Sequence, residues 1–127
     1  MPIDVVNSFV AAMERRDLPH ACSHLTEDCE YDNVPMGKVF GRAVVQDLLT
    51  PFLARFEEVH WPIRHQVSSG NLDSGVVMNE RLDRFRSGDR WIEMPVAGLF
   101  LIRHGQISLW RDYFDRDTYI NAVASLG

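Results

Sequence analysis

Three short stretches of this chain hold residues that can do chemistry together. Tyr31 and Asn33 stand two apart, as do Arg81 and Asp83, and Trp110, Asp112 and Phe114 repeat the spacing. Side chains of a strand alternate between its faces, so residues two apart point the same way. Asn79, Arg81, Asp83 and Phe85 therefore share one strand face, and each of the three sets mixes polar groups with large apolar ones. If the three faces meet, two aspartates, an arginine, a tyrosine and an asparagine converge inside an aromatic wall. Carboxylates exchange protons, and burying them costs several kcal/mol per ion unless well-placed partners offset it. Such a grouping in a hollow would be a reaction site. Spacing alone leaves a second reading open, in which Arg–Asp pairs lie on a solvated strand face, as Arg84, Arg86 and Arg103 are expected to do.

The elements that would carry these faces follow from local patterning. Residues 58–69, 73–86, 90–103 and 106–114 read as strands, separated by Gly70-Asn71, Ser87-Gly88-Asp89 and His104-Gly105, all turn formers. They predict a four-strand antiparallel meander. A brief strand over 30–33 should end in a loop at Val34-Pro35-Met36-Gly37. Val5, Phe9 and Met13, with Val6 and Val10 beside them, predict an amphipathic helix over 2–16. Asp17 then offers a cap for a short helix over 18–25, which the polar Thr26-Glu27-Asp28 should end. A third helix over 41–56 carries Val44, Val45, Leu48, Leu49, Phe52 and Phe56 at helical spacing. Pro51 lacks an N–H and clashes with the preceding turn, so a kink or short break is expected there. A closing helix over 116–126 has Tyr119, Val123 and Leu126 on one side. Helices followed by a run of strands indicate an α+β domain, and a sheet curved around helices leaves an apolar hollow for a small ligand.

The bulk properties bound the function. A chain of 127 residues has the size of one compact domain, spanning 1–127. Its formal net charge of −5 argues against nucleic acid, whose phosphates demand a basic face. No apolar run approaches the roughly 20 residues that span a bilayer, and the start lacks the order of a secretory signal, so a cytoplasmic protein without membrane contact is expected. Cys22 and Cys29 should then be reduced. Of His20, Cys22 and His24, only the two histidines would share a helix face, and no fourth ligand is evident, so no metal site is expected.

Taken in order, Tyr31-Asp32-Asn33-Val34-Pro35, Asn79-Glu80-Arg81-Leu82-Asp83 and Trp110-Arg111-Asp112-Tyr113-Phe114-Asp115 resemble the limonene-1,2-epoxide hydrolases, within the larger SnoaL-like group that includes nuclear transport factor 2 and the polyketide cyclases. The family pattern is Tyr-x-Asn, Arg-x-Asp and Trp-Arg-Asp-Tyr-Phe-Asp, and Tyr31, Asn33, Arg81, Asp83 and Asp112 match its five catalytic positions. The resemblance implies a cone-shaped, curved mixed β-sheet with helices packed on its concave face (the NTF2-like, cystatin-like fold), and a homodimer. It also implies opening of an epoxide by water in one step, without cofactor, metal or covalent intermediate. Asp112 would be the general base, Tyr31 and Asn33 would hold the water, Asp83 would protonate the epoxide oxygen, and Arg81 would bridge the carboxylates. Asp32, between Tyr31 and Asn33, should turn outward by alternation. Phe85, Met94, Val96, Trp110 and Phe114 would wall the hollow and suit a small hydrophobic, cyclic or terpenoid epoxide. The same cone carries ketosteroid-isomerase-like enzymes and polyketide cyclases, in which Asp112 and Tyr31 would shift protons and Arg81 and Asn33 would have no role. A non-catalytic ligand-binding module would have no need of two bridged carboxylates.

Overall fold

In the computed structural model, which describes residues 1–126, the periodic apolar positions of the first half become helices. The first, α1 (Pro2–Glu14), buries Val6, Phe9, Val10 and Met13. Asp17 caps α2 (Leu18–Cys22) by accepting the His20 backbone N–H at 3.2 Å. This helix stops short of residue 25 because the chain has by then entered β1 (Leu25–Asn33). Thr26-Glu27-Asp28 does not terminate a helix. It is strand with a register shift, where Glu27 and Asp28 are successively exposed between the buried Thr26 and Cys29, and a bulge of this kind breaks the alternation that would have marked it. Val34 to Met36 form the turn into β2 (Gly37–Phe40), a strand not foreseen from the sequence. Its four residues have no buried position, so there is no inside–outside pattern to read.

The third helix, α3 (Arg42–Leu53), buries Val45, Leu49 and Leu53 and runs through Pro51 without the expected break. Pro51 sits in the final turn, where the hydrogen-bond ladder is about to end, so its missing N–H costs little continuity. Phe56, expected inside this helix, lies beyond its end and is still buried.

One expected strand over 58–69 is two, β3 (Glu58–His60) and β4 (Ile63–Gly70), and both pair antiparallel with β5 (Ser74–Ser87). Trp61-Pro62 divides them. Pro62 has no N–H for the ladder, its carbonyl instead accepting the Leu82 N–H at 3.2 Å, while Trp61 turns into the core. β6 (Arg90–Arg103) and β7 (Gln106–Tyr113) complete the meander. The sheet order is β2-β1-β7-β6-β5-β3, with β4 also on β5. Since β1 runs parallel to β7, the curved, open sheet is mixed. The closing helix α4 (Arg116–Ala124) is capped by Asp115, which accepts the Thr118 N–H at 2.9 Å. Helix α1 packs across β3, β4, β5 and β7, and among the described residues no helix is long and apolar enough to cross a membrane.

Candidate active site

Alternation on β5 turns Val77, Asn79, Arg81, Asp83 and Phe85 inward, all buried. Arg84 and Arg86 face outward and pair with Glu93 and Glu58 at 2.9 and 3.3 Å. Strand pairing then assembles the rest. Gly98 of β6 stands opposite both Asn79 of β5 and Asp112 of β7, and the parallel β1–β7 register sets Asn33 beside Asp112 and Tyr31 beside Trp110. The Tyr31 and Trp110 rings stack at 3.9 Å. Asp32, one residue between, turns outward as expected, to Arg111 at 2.8 Å.

At the centre lies the guanidinium of Arg81, whose side chain is 0% exposed. It donates from Nε and Nη2 to the two oxygens of Asp83, each at 3.0 Å. Nη2 also donates to Oδ2 of Asp112 at 3.0 Å, and Nη1 to Oδ1 of Asn79 at 3.1 Å. Trp61 covers the guanidinium at 5.1 Å from its ring centroid. Oδ1 of Asp112 is buried and has no hydrogen-bond partner among the described residues.

A cavity of about 400 Å³ opens in front of this cluster. Tyr31, Asn33, Asp83 and Asp112 line it, as do all five expected wall residues, Phe85, Met94, Val96, Trp110 and Phe114. Arg81 does not line it, since it lies behind the two carboxylates it joins. Phe114 stands one residue past the end of β7. Sequence reasoning missed Trp61, Met13, Phe52 and Tyr119, which also line the cavity. Met13, Phe52 and Tyr119 sit in helical stripes that read only as packing, and Trp61-Pro62 in the middle of a strand pattern was the signal for Trp61.

Charge is distributed unevenly among these groups. Burial pushes the Asp83 carboxyl above the usual carboxylate range; Arg81 opposes this, while the charges of Asp112 and Glu14 add to it. Burial also works against the Arg81 cation, but Asp112 and Asp83 outweigh it and hold the guanidinium charged. Burial, then the Asp112 charge, raises the Tyr31 phenol, which stays a neutral hydroxyl. Cys22 and Cys29 are separate buried thiols, pushed up to about 11 and about 12 mainly by burial. Among the described residues, no three His, Cys, Asp or Glu side chains gather as metal ligands.

Residues 1–125 match the profile of the limonene-1,2-epoxide hydrolase catalytic domain. The chain belongs to the limonene-1,2-epoxide hydrolase family. The epoxide hydrolase EphG of Mycobacterium tuberculosis is 30% identical to it over 111 residues, 87% of this chain and 70% of that protein. A solved M. tuberculosis LEH-like epoxide hydrolase superposes with a TM-score of 0.79 at 26% identity, covering 98% of this chain and 93% of the other. The fold is shared more widely. A SnoaL-like polyketide cyclase structure from Shewanella putrefaciens, described as putative, gives a TM-score of 0.82 at 14% identity, over 98% of this chain and 86% of that one. Within the limonene-1,2-epoxide hydrolase family, this chain is thus an epoxide-hydrolase-type protein whose two carboxylates and aromatic wall line one cavity, with the Arg81 cation behind them.

Proposed function

We propose that the protein adds water to a small cyclic or terpenoid epoxide, of the limonene-1,2-epoxide kind, giving a vicinal trans-diol in one acid–base step. The observation that carries this reading is the asymmetric bridge. Arg81 grips Asp83 through both carboxyl oxygens but Asp112, which lines the cavity, through only one, and the other Asp112 oxygen is buried without a partner among the described residues.

That free Oδ1 is the acceptor for a proton from water, with Asn33 and Tyr31 beside it to orient the molecule. As the water oxygen bonds to one ring carbon from behind, the carbon–oxygen bond breaks and the epoxide oxygen takes a proton from Asp83. Epoxide and water are thereby converted to diol, with the proton gained by Asp112 balancing the one lost by Asp83. Burial, which raises the Asp83 carboxyl, favours the acid form this task needs. In that form one of its oxygens leaves the Arg81 fork and presents the proton to the cavity. Ring strain provides driving force, but water is a weak nucleophile and an alkoxide a poor leaving group, so both ends need help. The five side chains and water suffice for this chemistry, so we include no metal or cofactor. A cavity of about 400 Å³ with Phe85, Met94, Val96, Trp110 and Phe114 in its wall suits a compact hydrophobic substrate.

The test is the rate of diol formation by Asp83→Asn and Asp112→Asn. Each substitution removes one end of the proton transfer, and each is expected to lower kcat by about 10²- to 10⁴-fold while the protein still unfolds cooperatively. Wild-type turnover in either variant would refute the assignment.

We also propose a homodimer formed through the outer face of the sheet. Val67 and Met78 are adjacent there and 68% and 46% exposed, with Leu99 next in register. The two buried thiols suit a reducing compartment, and we place the reaction in the cytoplasm.

A further inference from the structure

The side chain of Arg81 crosses a strand to do its work. Arg81 stands on β5 and Asp112 on β7, with β6 between them. The β6 residue in line with Asp112 is Gly98, which also pairs with Asn79. A Cβ at Gly98 would lie 2.5 Å from Nη1 of Arg81, 2.8 Å from Oδ1 of Asn79 and 3.0 Å from the Phe100 ring. The guanidinium therefore passes through the space a larger residue would fill. It cannot yield easily, because four hydrogen bonds fix it.

Asn79 closes the side of the guanidinium away from the carboxylates. Its Oδ1 accepts from Nη1 of Arg81, its Nδ2 donates to Gln66 at 3.0 Å, and Gln66 donates to Asn7 of α1 at 2.8 Å. Arginine can only donate, so it dictates the orientation of each amide in turn. Neither Asn79 nor Gly98 lines the cavity, and substrate would touch neither.

We propose that Asn79 and Gly98 are positioning residues for the reaction, forming a seat that sets where Arg81 stands between the two carboxylates. This rests on the acid–base reading of Asp83 and Asp112 given above. Without the Asn79 amide, Nη1 is a buried donor without its partner and the guanidinium turns in its site. With a methyl group at position 98, it is driven out of line. In both cases the two carboxylates lose their common reference while the substrate wall is untouched.

The experiment measures kcat, KM and the pH profile for Gly98→Ala, Asn79→Ala and Asn79→Asp, with carboxyl-carbon NMR titration of Asp83 in each. Groups facing Asp83 are Arg81 on its own strand, Asp112, Tyr31 and Glu14. The seat predicts kcat lower by about 10- to 100-fold in the two alanine variants, with KM unchanged and the Asp83 titration displaced. Asn79→Asp keeps an oxygen for Nη1 and should recover rate relative to Asn79→Ala. Its added negative charge should move the Asp83 titration to higher pH. If Gly98→Ala does not fold, the two Asn79 variants decide. Wild-type kcat and an unmoved Asp83 titration in the folded variants would overturn the proposal. Asp83→Asn run alongside separates the two ideas: full activity there would sink the acid–base reading. The titration, which needs no turnover, would still decide the seat.

Discussion

Asp83 and Asp112 share one guanidinium but meet it differently, and in the proposed reaction this difference divides their tasks. Removing a neighbouring negative charge should expose this division in the pH profile. Glu14, whose carboxylate accepts the Trp61 backbone N–H at 2.8 Å, adds to the upward push on Asp83. In Glu14→Gln, a side-chain oxygen can still accept that N–H while the charge is gone, so the Asp83 pKa falls. An acid must be protonated to act, so the rate is lost as pH rises through that pKa. The alkaline limb of kcat should thus move to lower pH in Glu14→Gln, and an unmoved or upward-moved limb would exclude Asp83 as the acid. Stability follows the same sign. A carboxyl raised on folding contributes stability that is present below its unfolded pKa and lost as pH rises through the folded one, and Asp83→Asn should remove this dependence from a urea-unfolding series.

At the scale of elements, the site depends on one parallel pairing. Strand β1 brings Tyr31 and Asn33 alongside Trp110 and Asp112, and the outer face holds that register. There Arg111 of β7 reaches Asp32 at 2.8 Å and Glu30 at 3.0 Å. Partly exposed pairs of this kind are worth up to about 1 kcal/mol. Arg111→Ala, which removes both pairs, is expected to cost no more than about 2 kcal/mol in thermal or chemical unfolding, yet to lower kcat as Asn33 loses its fixed place beside Asp112. A large stability loss with unchanged kcat would show that the clamp serves only the fold. Much of this arrangement was legible in the sequence. Two-residue spacing sorted Arg81 and Asp83 from the outward Arg84 and Arg86, and identified the faces carrying Tyr31, Asn33 and Asp112. What stayed hidden depended on neighbours distant in sequence. Gly98 carries no signal of its own in the strand over 90–103 until β5 and β7 are seen on either side, β2 lacks a buried residue to mark it, and the register shift in β1 disguises Thr26-Glu27-Asp28 as a helix stop. Pro51, which reads as a break, lies in the last turn of a helix that continues to Leu53, while Pro62, inside what reads as one strand, divides it into two.

For the whole molecule, the helices cover one face of the sheet and leave the other with an apolar stripe, Val67, Met78 and Leu99, running across three strands. Exposed apolar stretches of this kind mark interaction surfaces. Light scattering at micromolar concentration should give twice the chain mass, and Met78→Glu should shift it toward the monomer; a monomeric wild type would end the dimer proposal. The central claim is that water itself attacks the epoxide, with Asp112 taking its proton. A single turnover of limonene-1,2-epoxide and of cyclohexene oxide in water labelled with heavy oxygen, by chelator-treated protein in excess and analysed by chiral gas chromatography with mass detection, tests it most directly. The account predicts enantio-enriched diol carrying one labelled oxygen from the first turnover, and none from Asp112→Asn. First-turnover diol bearing only unlabelled oxygen, drawn from a protein carboxylate, would contradict it, as would labelled diol formed equally well without Asp112.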